Sequence, residues 1–457
     1  MEVKVMEKRT DVLIVGGGPA GIVCASTAKK YYPDKQIKII KNVKNSVVPC
    51  GIPYMFYSLK NPEDNKMGFT SLENAGIEVI VDEVVKADRE GKYVETKNGD
   101  KYYYEKLVLA MGSLPIIPKI PGIEKKNIFP IYKDLDYLKT VVEEVRKAKN
   151  VLIVGGGFIG VEVADEISKL EGITVYLVEL LPRLLAQSFD EEFSILAEEK
   201  LKSKGVNILT NAKVVEFLGD EKVRKVKLED GREIEVDVVI LGIGAVPNSS
   251  LAKEMGLETI NNGAIWVDEY MRTSDPDIFA IGDCALKRDF YTRRNTPVML
   301  ASTATAEARI AGANLYQIKL IRENKGTIAV YSTYIDGLVL ASAGLTESSA
   351  KREGFEVVVG SVDGIDKHPG TLLGVNKTKV KLIFSKYSGV LLGGQVAGGT
   401  SFAELINLIG VAIQQRMTAS ELETLQMATH PYLTCAPTVY HVVMSAQEAI
   451  NKIFLSK

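Results

Sequence analysis

At 457 residues the chain is too long for one ordinary hydrophobic core, so two or three domains are expected. Its 46% hydrophobic and 25% charged residues are those of a soluble globular protein. Lys plus Arg number 56 against 58 for Asp plus Glu, which leaves no global field to draw in nucleic acid or an anionic membrane surface.

No apolar run reaches the ~18 residues of a membrane span. The N-terminus "MEVKVMEKRTDVLIVGGG" runs into a strand without a cleavable apolar segment, so a cytoplasmic protein with no integral membrane segment is expected. "DVLIVGGGPAGIVCASTAKKYYP" predicts a buried strand, a glycine turn and a small-residue helix closed by Pro33. Gly16 permits the tight turn, Gly18 lets the backbone approach a pyrophosphate, and Gly21 allows close helix packing. Pro19 and Ala20 open the helix, whose free N–H groups and positive dipole end suit phosphates. An acid is then expected about 20 residues on, at the end of the next strand, to hold ribose hydroxyls. "IKIIKNVK" places Lys41 there instead.

Next comes "SVVPCGIPYMFYSL", with Cys50 at the mouth of what reads as a helix. A thiol at a helix N-terminus has its thiolate stabilised by the dipole and by unsatisfied N–H groups, which lowers its pKa below the free value of ~8.5. The competing reading is a small buried packing residue. The other cysteines, Cys24, Cys284 and Cys435, are too scattered for a disulfide framework or a zinc site, so no metal is expected.

"KLVLAMGSLPIIPKIPG" reads as a strand ending near Gly112 and a Pro-punctuated crossover, with a boundary near residue 116. "NVLIVGGGFIGVEVADEISKL" repeats the first grammar with Gly155, Gly157, Phe158, Ile159 and Gly160. The following strand "ITVYLVE" ends on Glu179, a carboxylate that accepts hydrogen bonds from a ribose diol and repels a 2′-phosphate. NADH is therefore preferred over NADPH, with the nearby Arg183 as a counterweight. "DVVILGIGAVPN", carrying Gly244, marks the exit near residue 246. The reading is an outer unit of residues 1–116 and 247–325 with residues 117–246 inserted in it. In residues 326–457, "TIAVYSTYIDGLVLASAGLT", "FEVVVGSVDG" and "KVKLIFSKYSGVLLGGQVAG" predict an antiparallel sheet, closed by helices after residue 402.

"TSDPDIFAIGDCA" adds a turn, a strand and Asp283. The two glycine fingerprints, "IFAIGD" and the Cys50 segment together resemble the FAD-dependent pyridine nucleotide-disulfide oxidoreductases, in the single-cysteine group with coenzyme A disulfide reductases and NADH oxidases. The resemblance spans essentially the whole chain. It implies an α/β fold with two Rossmann-like nucleotide-binding domains, one inserted in the other, and a C-terminal α+β dimerisation domain that pairs a homodimer. FAD would bind the first half and NADH the second. Asp283 would hold the flavin's ribityl chain. Ser302, Thr303 and Ala304 in "LASTATAEARIAG" would lie at a helix N-terminus that stabilises negative charge on the reduced flavin. Phe158 would cover the flavin face where nicotinamide docks, with Glu162 near that ring.

The commoner family design places a second cysteine five residues after the first; here Tyr54, Met55 and Phe56 stand there. The lone Cys50 is then the nucleophile. The oxidase and peroxidase branches often keep a histidine in the first glycine turn, where this chain has Pro19 and Ala20. In "THPYLTCAPTVYHVV", His430-Pro431 resembles the pair whose histidine donates a proton at the partner's cysteine, a task for an imidazole of pKa ~6.5. Tyr432 or Tyr440 could serve instead. Cys435 could resolve a mixed disulfide on the partner's Cys50, or merely pack, as Cys24 and Cys284 are expected to do.

The function that follows is an FAD-dependent NAD(P)H oxidoreductase that passes hydride electrons to Cys50, which reduces a small disulfide, persulfide or polysulfide, with coenzyme A among the admissible carriers. The alternatives are an NADH oxidase using oxygen, a peripheral NADH-quinone reductase, against which the short C-terminal "AINKIFLSK" argues, and a flavoprotein whose FAD is only structural.

Overall fold

The computed structural model describes residues 6–323 and 325–455. The apolar run at residues 12–15 is buried on both faces, the signature of a parallel strand covered by helices on each side. Around it, Glu78–Val81, Ile37–Lys41, Glu7–Val15 and Lys101–Leu109 lie side by side and parallel, and Tyr93–Thr96 and Val84–Asp88 extend the edge antiparallel. The seventh strand, Ile278–Ala280, pairs parallel with residues 107–109. The chain thus leaves this sheet, builds another, and returns.

The second sheet is parallel throughout, in the order Asn207–Leu209, Thr174–Val178, Asn150–Val154, Val238–Leu241, Ile128–Pro130. A three-stranded antiparallel meander, residues 214–235, follows in the same excursion. The outgoing and returning segments pair with each other: Ser113–Pro115 runs antiparallel to Ala245–Pro247, with Leu114 opposite Val246.

The third sheet, Tyr331–Ile335, Leu338–Gly344, Leu391–Gly398, Lys377–Ser385 and Val357–Ile365, is wholly antiparallel. Helix His441–Leu455 lies close enough on it that a Cβ at Gly360 would collide with the Ser445 carbonyl. A buried polar clasp ties this sheet to the second. Asp190 accepts from the amides of Glu347 and Ser348 at 3.0 and 3.1 Å and from Gln395 Nε2 at 2.6 Å. Lys381 pairs with Asp190, Glu192 and Glu347. With every partner satisfied, burial of these charges is tolerable, and the neighbouring Phe189 is held against the second glycine turn.

Candidate active site

The two glycine turns are built alike. Gly16 and Gly155 have φ of +119° and +106°, where a side chain would be strained, and a Cβ there would run into the carbonyls of Ala110 and Gly242. A Cβ at Gly21 or Gly160 would collide with the carbonyl of Gly16 or Gly155, so these glycines let each helix seat on its own turn. Gly18 and Gly157 differ: a Cβ at either would meet nothing within 4 Å. Each is the N-cap of its helix, Pro19–Tyr31 or Phe158–Ser168, and neither helix is capped by a side chain. Both turns therefore present open space in front of uncapped N–H groups, which fits a dinucleotide pyrophosphate. Pro19 occupies the first helical position, where an N–H is not needed.

Asp283 approaches the first turn from the far side. A Cβ at Gly282 would stand 3.0 Å from that of Ala20 and 3.6 Å from that of Ala304, so the first glycine turn, the Asp283 turn and helix Ala301–Ala313 converge. Glu307 on that helix accepts the Gly282 amide at 2.9 Å and pairs with buried Lys287 at 3.0 Å. Lys287 in turn donates to the Gly282 carbonyl at 2.6 Å, fixing the turn to the helix. Ser302 is exposed and Ala304 buried, while Thr303 shares a hydrogen bond with Thr327 at 3.0 Å. Gly112 and Gly244, at φ +67° and +99°, close the strand ends beside the two turns.

Lys41 and Glu179 occupy matching places. A Cβ at Gly17 would touch Lys41 Cδ at 2.8 Å, and one at Gly156 would touch Glu179 Cβ at 3.1 Å. Glu179 accepts from the Gly156 amide at 2.5 Å and the Leu181 amide at 2.6 Å. Lys41 is buried and donates to the Val43 and Lys44 carbonyls and to Ser46 Oγ at 2.9, 3.0 and 3.1 Å. Burial, then the nearby Lys66, lowers its pKa. A lysine thus stands where an acid was expected, tying the glycine turn to the segment leading to Cys50. Arg183 is engaged by Glu191 at 2.8 Å and Glu198 at 3.3 Å.

At Cys50 the structure corrects the expected helix. Pro49–Gly51 and Pro53–Met55 are single 3₁₀ turns, because Pro53 has no N–H to donate to the Pro49 carbonyl and bonds close one residue shorter, as in Ile52 N to Pro49 O. No long helix dipole acts on the thiol. Cys50 is exposed, and its pKa is raised rather than lowered. Desolvation of its inner side comes first and the Glu162 charge second, while Lys133 opposes them and Asp283 adds to them. Ile52, Met55 and Phe56 are core residues packed with Val161 and Leu340, so the positions of the absent second cysteine anchor the loop. Beyond them, Glu166 accepts the Ser58 amide at 2.7 Å and its hydroxyl at 2.8 Å.

Glu162, on helix Phe158–Ser168, is the charge that acts most strongly on Cys50. Thr333 Oγ1 donates to its carboxylate at 2.7 Å, yet burial, with Asp165 and Glu166 on the same helix, raises its pKa to about 7. One turn earlier, Phe158 stacks on Tyr331 with centroids 5.1 Å apart and planes at 16°, and meets Phe189 edge-on at 6.1 Å. Because Glu162 has a higher pKa folded than its unfolded value of ~4.3, its contribution to stability is full below that value and lost as pH rises through about 7. Thermal melts of Glu162→Gln should therefore lack a decline that the wild type shows between those two pH values. Parallel Tm profiles would show that Glu162 is not held in this environment.

Residues 10–308 match the sequence model of the pyridine nucleotide-disulphide oxidoreductases, and residues 330–440 match the dimerisation domain of that family. The chain belongs to the pyridine nucleotide-disulphide oxidoreductase family. It is therefore an FAD-dependent NAD(P)H oxidoreductase with two nucleotide-binding domains and a C-terminal domain that pairs two copies. An NADH oxidase of Enterococcus faecalis is 32% identical over 427 residues, 90% of this chain and 93% of that protein. An NAD(P)H coenzyme A polysulfide/persulfide reductase of Pyrococcus horikoshii is 33% identical over 395 residues, 85% of this chain and 87% of that one. The solved structure of an NAD-dependent persulfide reductase from A. fulgidus superposes with a TM-score of 0.90 at 29% identity, covering 97% of this chain and 83% of that one.

In this oxidoreductase the other candidate residues gather on the C-terminal segment. His430 is exposed, and its Nδ1 accepts the Tyr432 amide at 3.2 Å. Tyr432 and Leu433 are more than half exposed. Cys435 is 3% exposed, with a pKa raised by burial, as expected of a packing thiol. Cys24 and Cys284 are fully buried, with pKa pushed up to about 12 and about 11. Sequence reasoning missed Ser113, Lys133, Tyr331 and Thr333. None lies in a motif, and each reaches the site only through the crossover or the third sheet. Among the described residues no cluster could hold a metal ion, and no helix is long and apolar enough to cross a membrane.

Proposed function

We propose that this oxidoreductase uses NADH to reduce a small disulfide, persulfide or polysulfide through Cys50. The observation that carries this reading is an exposed thiol on a loop whose Ile52, Met55 and Phe56 share a core with Val161 of the second glycine helix, its pKa shifted by burial and then by Glu162 of that helix. When bound, FAD supplies the redox chemistry, taking two electrons from NADH and making them available to sulfur. Cys50, as thiolate, attacks one sulfur of R–S–S–R′. A Cys50–S–S–R bond forms, and R′S⁻ leaves and takes up a proton. Two electrons then split that mixed disulfide, returning the thiolate and releasing the second thiol. The sum is one disulfide, one hydride and one proton in, and two thiols out.

The chain's residues divide the remaining work. The amide ends at Gly18–Gly21 and Gly157–Gly160 take the pyrophosphates, with Ile159 and Lys41 alongside. Asp283 and the helix start at Ser302, Thr303 and Ala304 hold the flavin, Gly112 and Gly244 shape the strand ends beside it, and Phe158 with Glu162 borders the nicotinamide. His430 or Tyr432 of the partner supplies the proton, and Cys435 is left out because it is buried. The domain division is placed at residues 1–116 with 247–325, 117–246 and 326–457. The Pyrococcus relative's name makes coenzyme A a sensible sulfur carrier. A cytoplasmic location, where NADH and reduced thiols are kept, belongs to the same reading.

NADH is preferred because Glu179 lies against the second glycine turn, where a carboxylate accepts from a ribose diol and repels a 2′-phosphate, and Arg183 is already paired. Glu179→Ala is expected to narrow the NADH-over-NADPH ratio of kcat/KM about tenfold, ~1.4 kcal/mol. A wild type that prefers NADPH would reverse the assignment. The Enterococcus relative favours a second reading, oxidation of NADH by oxygen. Stopped-flow reoxidation of the reduced enzyme separates the two: polysulfide or coenzyme A disulfide should outpace air-saturated buffer, and the reverse order would make oxygen the substrate.

A further inference from the structure

The turn that carries Asp283 is held by a buried ion pair. Glu307 is 3% and Lys287 6% exposed, and they meet at 3.0 Å. Their bonds take both backbone groups of Gly282, the residue before Asp283. The Gly282 amide donates to Glu307 at 2.9 Å, and its carbonyl accepts from Lys287 Nζ at 2.6 Å. Lys287 also donates to the Ala285 carbonyl at 2.9 Å, across the same turn. Glu307 stands in helix Ala301–Ala313, and the start of that helix is tied to the same stretch of chain. Thr303 Oγ1 meets Thr327 Oγ1 at 3.0 Å, and the Thr327 amide donates to the carbonyl of Arg288, next to Lys287, at 2.8 Å. The Asp283 turn and the helix start are both referenced to residues 287 and 288.

A buried pair of this kind is a poor source of stability. Desolvating two charges offsets their attraction, and apolar side chains of similar volume stabilise a fold as well or better. What apolar side chains do not supply is a fixed place for the Gly282 peptide, whose N–H and C=O both need partners. That peptide lies where three elements meet, since a Cβ on Gly282 would stand 3.0 Å from Ala20 Cβ of the first glycine helix and 3.6 Å from Ala304 Cβ. We propose that Lys287 and Glu307 are positioning residues for the flavin: they set the spacing between Asp283 and the N-terminus of helix Ala301–Ala313. That spacing governs how tightly FAD is held and how strongly the helix N-terminus stabilises negative charge on the reduced flavin.

This inference rests on the placement of Asp283 and this helix at the flavin, and its test does not depend on turnover. Lys287→Met combined with Glu307→Leu removes both charges at similar volume, whereas Lys287→Met combined with Glu307→Gln leaves the Gly282 amide an acceptor. For each purified holoenzyme, FAD release would be followed by flavin fluorescence after dilution, the flavin midpoint potential by equilibration with a reference dye, and Tm in excess FAD. The variant with Glu307→Leu should keep a Tm close to wild type. It should release FAD about tenfold faster, with a potential about 30 mV lower, a tenfold change for a two-electron couple. The variant with Glu307→Gln should recover most of both shifts. Wild-type release and potential in a folded Lys287→Met, Glu307→Leu variant overturn the proposal, as does a Glu307→Gln partner that recovers neither. If the variant with Glu307→Leu does not fold, Glu307→Gln alone decides. It keeps an acceptor for Gly282 and both carbonyls for Lys287, so release and potential should stay within about twofold of wild type. A tenfold change there shows that charge rather than position matters, and overturns the proposal. Asp283→Ala tests the placement itself: unchanged FAD release and potential in that variant would remove the flavin from this turn, whatever Lys287 and Glu307 do.

Discussion

Cys50→Ser is expected to leave reduction of the enzyme by NADH intact while sulfur-substrate turnover falls by about three orders of magnitude or more. The residue is exposed at a 3₁₀ turn whose anchoring is done by Ile52, Met55, Phe56 and Ser58, so exchanging sulfur for oxygen disturbs no packing. The second glycine helix and its nucleotide turn are untouched. What disappears is the nucleophilic sulfur that forms the mixed disulfide. Measured aerobically, the same variant also reports on oxygen. If NADH consumption persists with oxygen at the wild-type rate while sulfur turnover was never appreciable, the oxidase reading prevails.

Gly157→Val is expected to raise the KM for NADH about 100-fold, ~2.7 kcal/mol, with full FAD content and near-normal Tm. The reasoning is steric. Gly157 has an extended backbone that any residue adopts, and a side chain there meets no protein atom. It would fill only the space in front of the helix N-terminus. Gly160→Ala is the contrast, because its Cβ would collide with the Gly155 carbonyl and the fold itself should suffer. Isothermal titration with NADH and a thermal melt separate the cases. Unchanged NADH affinity in Gly157→Val would mean that the pyrophosphate does not lie over this turn.

The repeated strand, turn and helix grammar was legible because each glycine's role is local. Gly16 and Gly155 need positive φ, Gly21 and Gly160 need absent side chains, and Gly18 and Gly157 leave space. The return of "IFAIGD" to the first sheet was legible from the same kind of apolar strand pattern. The state of Cys50 was not. Its helical reading failed on Pro53, which has no N–H to extend the turn, and its pKa is raised first by burial and then by Glu162, a residue far away in sequence. Lys41 was recognised as misplaced for an acid, but its bonds to Val43, Lys44 and Ser46 required the loop geometry. The burial of Cys435 likewise depended on the fold of the C-terminal segment, whose Pro431 and Thr434 carbonyls bond to His368.

The central claim, that Cys50 holds electrons between NADH and sulfur, is tested most directly by anaerobic titration with NADH. The enzyme would first be treated with a disulfide or polysulfide, desalted, and then titrated while flavin absorbance and released thiol are followed. The account predicts about two equivalents of NADH per FAD, the first accompanied by thiol release and the second by loss of flavin colour, and about one equivalent with no thiol release in Cys50→Ser. A wild type that consumes one equivalent and releases no thiol would contradict it.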